Sequence, residues 1–269
     1  MLMEEPVLIP NGTDTMVGVL YRPEGRSARG LVVCNPLFEE RKSAQRVMVD
    51  AARAFAAAGC AVVRFDFRGC GDSSGDFAAF TCADWRADIG VAARFLAEKT
   101  GVSNLGLLGL RLGASLALGA AAEIALTRFL VLWEPILSGR RYFDQELRRK
   151  LVKEMVTFGQ NRTTRASLMQ DLDAGKPIDL DGYAVTPQLF AGLAAIDLTQ
   201  SAPRGSWKTL LVQIAPAETA SRDLSRLRDT LVAGGVEADL IAAKEDPFWN
   251  LVGLVECPTL IAQTRQWIM

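Results

Sequence analysis

Short apolar runs alternate with longer stretches of helical spacing along most of the chain. Near the start, positions 6–10 and 15–21 are β-prone and are split by Asn11-Gly12, a pair suited to a tight hairpin turn. Positions 30–34 form a continuous apolar run, the pattern of a strand covered on both faces, and 60–66 reads as the next strand. Between them, 42–58 has helical spacing and closes at Gly59. A second helix is predicted over 82–99, with Trp85, Ile89, Ala92, Phe95 and Leu96 inward and Asp84, Arg86, Asp88 and Glu98 in water. Positions 105–108 read as a strand leading into an alanine-rich helix over 112–124. Further strands are expected at 129–133, 209–214 and 238–242, with helices over 221–233 and from Pro258. Such alternation predicts an α/β fold, a mostly parallel doubly wound sheet with helices on both faces.

One segment breaks the rhythm. Roughly seventy residues separate the strands at 129–133 and 209–214, too many for a plain connection. Within it, 141–158 is amphipathic, with Tyr142, Phe143, Leu147, Leu151, Met155 and Phe158 recurring at helical spacing. Positions 179–183 suggest a turn and 187–196 a short helix. This predicts a core of 1–137 and 206–269 with a helical insertion, 138–205, capping the carboxyl edge of the sheet.

The densest local signal is Gly109-Leu110-Arg111-Leu112-Gly113, set between a strand and a helix. Glycines at these two positions supply the room that a sharp strand-to-helix turn needs. This is the frame of the Gly-x-Ser-x-Gly nucleophile elbow, with arginine where the serine would stand. The usual imidazole base is missing as well, since the chain has no histidine. A guanidinium remains protonated and serves neither as nucleophile nor as ordinary base.

Composition narrows the field. With 30 basic and 31 acidic residues, the net charge of −1 offers no attractive field for nucleic acid or an anionic membrane surface. Five cysteines without a Cys-x-x-Cys pair, and no histidine, argue against a metal site and predict free thiols in a reducing cytoplasm. No signal peptide and no apolar run of membrane-spanning length are evident, and no cofactor is implied.

A second motif, Asp66-Phe-Arg68-Gly-Cys-Gly-Asp-Ser73, resembles the structural loop after the fourth strand of many α/β-hydrolases. With Asn35-Pro-Leu-Phe-Glu-Glu40, Gly109-Leu-Arg-Leu-Gly-Ala114, Leu132-Trp-Glu-Pro-Ile-Leu-Ser-Gly139 and Pro247-Phe-Trp249, the chain resembles an α/β-hydrolase. It is most similar to the second hydrolase associated with the exosortase A system of exopolysaccharide-producing bacteria. The resemblance implies ester, thioester or peptide chemistry, which the residues do not themselves supply. Where hydrolases often carry His-Gly or His-Pro after the third strand, this chain has Asn35-Pro36. The acid position is nearest Glu218, and the base position falls at Asp246 or Pro247. Ser115 and Cys34 read as packing residues rather than replacement nucleophiles.

Arg111 has two readings. At a helix N-terminus that already favours anions, it would bind a carboxylate or phosphate under the cap. Alternatively a neighbouring carboxylate satisfies it, with Glu134, Glu39 and Glu218 as candidate partners, because an isolated buried charge is prohibitively costly. The candidate ligand-lining set is Asn35, Leu37, Arg111, Leu112, Glu134 and Trp249. The leading functional expectation is a non-catalytic binder of a small anionic or acyl ligand, acting alone or as a homo- or hetero-oligomer with a related hydrolase. The alternative is an ester or thioester hydrolase in which Arg111 polarises a carbonyl and Glu134, Glu218 or Asp246 activates water.

Overall fold

A computed structural model describes residues 3–200, 203–216 and 219–269. The chain opens with the predicted hairpin, β1 (Met3–Asn11) and β2 (Asp14–Arg22), in register across Asn11 and Asp14. It continues through β3 (Arg29–Cys34), α1 (Phe38–Ala57), β4 (Ala61–Phe65), α2 (Cys82–Thr100), β5 (Asn104–Leu110), α3 (Leu112–Ala120) and β6 (Thr127–Trp133). Between β6 and the next strand of the sheet lie α4 (Gly139–Phe158), α5 (Arg165–Asp173), a hairpin of β7 (Ile178–Leu180) and β8 (Tyr183–Val185), and α6 (Pro187–Ala194). Then come β9 (Lys208–Ala215), α7 (Arg222–Ala233), β10 (Glu237–Lys244) and α8 (Pro258–Ile268).

Eight strands form one sheet in the order β1-β2-β4-β3-β5-β6-β9-β10. Every pairing from β4 to β10 is parallel, while β2 runs antiparallel to both its neighbours. The central strands β3 and β5 are buried almost throughout, as their unbroken apolar runs require. Alternate side chains feed two cores. One, against α2 and α3, contains Val32, Leu107, Leu132 and Trp85; the other, against α1 and α8, contains Val33, Leu108, Val131 and Phe55.

Three expectations need correction. The first helix begins at Phe38, four residues before the predicted start, because Phe38 takes a positive φ of 55° and turns the chain abruptly into α1. Asp88 is wholly buried rather than in water: it accepts from the Arg68 backbone N–H at 3.0 Å, Arg68 Nε at 2.7 Å and Asn11 Nδ2 at 2.7 Å. Finally, Tyr142, Phe143 and Leu147 of α4 face inward, but Met155 and Phe158 of the same predicted stripe are exposed, because the second half of the helix runs out past the core.

The loop after β4 is structural, as its motif suggested. Ser73 donates to the Asp66 carbonyl at 2.7 Å and accepts from the Val17 N–H, while Arg41 grips the Asp66 carboxylate at 2.6 Å. Ser74 meanwhile accepts from the Thr15 N–H, so the two serines staple β2 to this turn.

Candidate functional site

The turn from β5 into α3 keeps the geometry of an elbow. Arg111 has φ 56° and ψ −122°, a conformation that L-residues rarely adopt and that surrounding contacts must enforce. Its N–H donates to the Trp133 carbonyl at 2.9 Å, and its own carbonyl accepts from Ala114 at 3.0 Å. Glycine is obligatory on both sides: a Cβ at Gly109 would strike the Ala114 backbone, and one at Gly113 the carbonyls of Cys34 and Asn35. The sharp turn therefore presents residue 111 above the carboxyl end of the sheet, and Leu112 follows as the first residue of α3.

Arg111 is paired, though with neither of the two predicted acids that the structure describes, Glu39 and Glu134. Its Nε donates to Glu40 Oε1 at 3.1 Å, and Glu40 is completely buried. Glu40 Oε2 accepts from the Tyr142 hydroxyl at 3.2 Å, and Arg149 of α4 lies 3.8 Å from Oε1. Glu39 points outward to Lys42, 2.8 Å away. Glu134 has a positive φ of 43° and spends Oε2 on the Ile214 N–H at 2.8 Å. Glu218 lies outside the described residues. The earlier start of α1 explains the miss, because it places Glu40 on the same inward face as Ala44, Val47 and Ala51. That spacing was a signal available in the sequence.

Aromatic rings hold the guanidinium from two sides. Trp249 lies 5.0 Å and Tyr142 5.7 Å from Cζ, within cation–π range. Neither Nη of Arg111 has an acceptor among the described residues, and the side chain retains 12% exposure. Arg111 also lines a cavity of about 360 Å³ whose wall includes Ser138, Arg141, Gln145, Gln200 and Arg226. Two acids, Asp197 and Asp223, share that wall. Asp197 is occupied by the Thr199 hydroxyl at 2.5 Å and Thr199 N–H at 3.0 Å, which hold its carboxyl below the usual range.

Burial drives the Glu40 carboxyl upward, while Arg111, Arg149 and Tyr142 pull it the other way. Glu146, beside Arg149 at 2.9 Å, is pushed up by burial to about 7, with the Glu40 charge adding to the rise and Arg149 opposing it. Burial also raises Glu134. Of the remaining sequence candidates, Leu37 and Leu112 are buried packing residues. Asn35 donates from Nδ2 to the Phe65 carbonyl at 2.9 Å rather than facing the cavity. Asp246 is exposed on the loop after β10. The structure thus brings Arg111 and Trp249 together, adds Glu40, Tyr142 and Arg149, leaves Asn35 and Glu134 in other contacts, and leaves Asp246 exposed.

All five cysteines are free and buried, and burial raises Cys34, Cys60, Cys70, Cys82 and Cys257 well above ordinary thiols. Among the described residues, no cluster of three acids or thiols is placed to hold a metal ion, and no helix is long and apolar enough to cross a membrane.

Residues 41–267 match the sequence model of the alpha/beta hydrolase family. The chain belongs to that family. Among solved structures, this α/β-hydrolase is similar to Est1E of Butyrivibrio proteoclasticus bound to ferulic acid, with 14% identity, 97% of each chain covered and a TM-score of 0.68. It is also similar to an esterase from Pyrococcus furiosus, with 14% identity, 99% of this chain and 89% of the other covered, and a TM-score of 0.65. A lidless serine hydrolase of Xanthomonas campestris shares 18% identity over 98% and 94% of the two chains, with a TM-score of 0.60. At such identities the likeness is one of fold. No curated protein sequence matches significantly.

Proposed function

We propose that this α/β-hydrolase is a non-catalytic binder of a small, hydroxyl-bearing anion such as a sugar acid or a phosphate ester. The observation that carries the reading is the division of labour within one guanidinium. Arg111 gives Nε to Glu40, lies within cation–π range of Trp249 and Tyr142, and lines the cavity with neither Nη taken by an acceptor among the described residues. A planar fork held in this way is preorganised for a bidentate anion. Arg226, which has no carboxylate partner among the described residues, and Arg141, 3.9 Å from Asp223, add positive charge to the wall. Ser138, Gln145 and Gln200 offer hydroxyl and amide groups suited to a polar ligand.

Loss of catalysis is part of the same reading. The elbow carries arginine, the chain contains no histidine, Glu134 is committed to the Ile214 N–H, and Asp246 is exposed in its loop. The segment 138–205 acts as the cap, with α4 supplying Tyr142 and Arg149 over Arg111. The motif resemblance to the exosortase-associated hydrolases supports a role beside an active hydrolase in exopolysaccharide or acyl metabolism in the cytoplasm.

Isothermal titration with acetate, inorganic phosphate and glucuronate tests the reading. Glucuronate or phosphate is expected to bind, and Arg111→Ala to weaken that binding tenfold or more, equivalent to about 1.4 kcal/mol. Unchanged affinity in Arg111→Ala sinks it, as does labelling of the native protein by a fluorophosphonate or turnover of aryl esters.

A further inference from the structure

Four charged side chains stand in contact along a line that ends on the cavity wall. Arg111 Nε lies 3.1 Å from Glu40 Oε1, and Arg149 Nη1 lies 3.8 Å from that same oxygen. Glu146 Oε1 in turn lies 2.9 Å from Arg149 Nη1. Laid end to end these contacts reach about 10 Å, so Glu146 is at most that far from Arg111 Nε. The two carboxylates thus share one arginine, which also gives Nη2 to Asn250 Oδ1. Glu40 is fully buried and Glu146 keeps 10% exposure, so water and salt screen them weakly.

With all four groups ionised the line is neutral, and one proton on a carboxylate makes it positive. Glu40 is the better compensated of the two, since it accepts from Arg111 and from the Tyr142 hydroxyl and also lies near Arg149. Glu146 has the shared Arg149 alone at close range. Asp181, in the turn between β7 and β8, adds a like charge, itself met by Lys153 at 3.2 Å. We propose that the cavity takes up its anion together with a proton, which Glu146 holds at the far end of this line. The inference rests on the anion reading of Arg111. Burial is the main force that lifts the Glu146 carboxyl to about 7, and the Arg149 and Arg111 charges oppose it. Linkage fixes the sign: protonated Glu146 favours the anion, and the bound anion favours the proton. A unit charge about 10 Å away across a protein interior changes affinity roughly three- to tenfold. The chain has no histidine, so no side chain of ordinary acidity changes charge between about pH 5.5 and 8.5.

Isothermal titration of the full chain with glucuronate and with sulfate, both ionised throughout that range, tests the coupling. Native affinity is expected to be about three- to tenfold higher at pH 5.5 than at pH 8.5. Titrations at pH 7 in Bis-Tris and in imidazole, whose ionisation enthalpies differ, should reveal net proton uptake on binding. Glu146→Gln should bind at pH 8.5 as tightly as the native protein does at pH 5.5, without pH dependence or proton uptake. Binding that is equally tight at both pH values in the native protein overturns the coupling and leaves the anion reading standing. A dependence that survives in Glu146→Gln also overturns it, placing the proton on Glu40 or Glu134, whose carboxyls burial likewise raises. If neither anion binds at either pH, the coupling falls together with the anion reading.

Discussion

The buried arginine–carboxylate clusters around Asp88 and Glu40 are built differently. Around Asp88 the network is closed. The carboxylate takes three hydrogen bonds, from Arg68 N–H, Arg68 Nε and Asn11 Nδ2, and Arg68 sends Nη1 on to Asp14 at 3.3 Å. Around Glu40 it is open: Arg111 uses Nε alone, and its Nη atoms have no acceptor among the described residues. Both guanidiniums sit over aromatic rings, Arg68 over Phe80 at 4.8 Å and Arg111 over Trp249 at 5.0 Å. The contrast lies in what surrounds the outer nitrogens. The first cluster stitches the hairpin to α2 through two carboxylates; the second has a place for a guest.

The comparison breaks first at Asp88. Asp88→Ala would strand Arg68 and is expected to cost about 3–5 kcal/mol, because one partner of a buried pair is removed and its charge left behind. Urea denaturation reads this directly, and a loss under 1 kcal/mol would mean that the closed cluster is not the structural stitch described. Glu40→Gln should cost less, about 2 kcal/mol by the same measurement. Arg111 would lose its counter-charge yet keep an amide acceptor and its two rings. Its larger effect should be on binding, since an Arg111 fork no longer held in plane loses its preorganisation. Equal losses for Asp88→Asn and Glu40→Gln, with anion affinity untouched, would erase the distinction between the clusters.

Glu146 sharpens the contrast at smaller scale. Its carboxyl, pushed up to about 7, lies above the unfolded value near 4.3, so the fold favours its protonated form. The stability this contributes is fully present below about pH 4 and is lost as pH rises toward 7. Glu146→Gln removes the dependence. Above pH 7 the variant should be more stable than the native protein by about 1–3 kcal/mol, and near pH 4 the two should coincide. Melting curves of both proteins between these limits check it, and parallel curves would show that Glu146 carries no such burden. No comparable step is expected from the thiols, whose buried sulfurs stay protonated across this range.

Much of the fold was legible in the order of elements. The apolar runs at 30–34 and 105–108 marked strands that the structure buries, and glycines at 109 and 113 announced the elbow because no other residue fits those contacts. The site was half legible. Arg111 stood out, but its partner did not, because a helix start was sought at polar residues after 40 while the true start lies in the strained turn at Phe38. Asp88 failed for a different reason. It falls within the arc of Trp85, Ile89 and Ala92, yet a charged residue on a buried face is plausible only once its partner is known, and Arg68 reaches it from a loop twenty residues earlier. Local spacing reports which face a side chain occupies. It does not report which distant group will meet it there.

The backward turn at Arg111 has a practical consequence. Its backbone displays whatever side chain stands there, independent of chemistry, and every native thiol is buried. A cysteine installed by Arg111→Cys would thus place a thiol on the cavity that Arg111 lines, with Trp249 as a ready fluorescent neighbour. The molecule already contains a socket for a reporter.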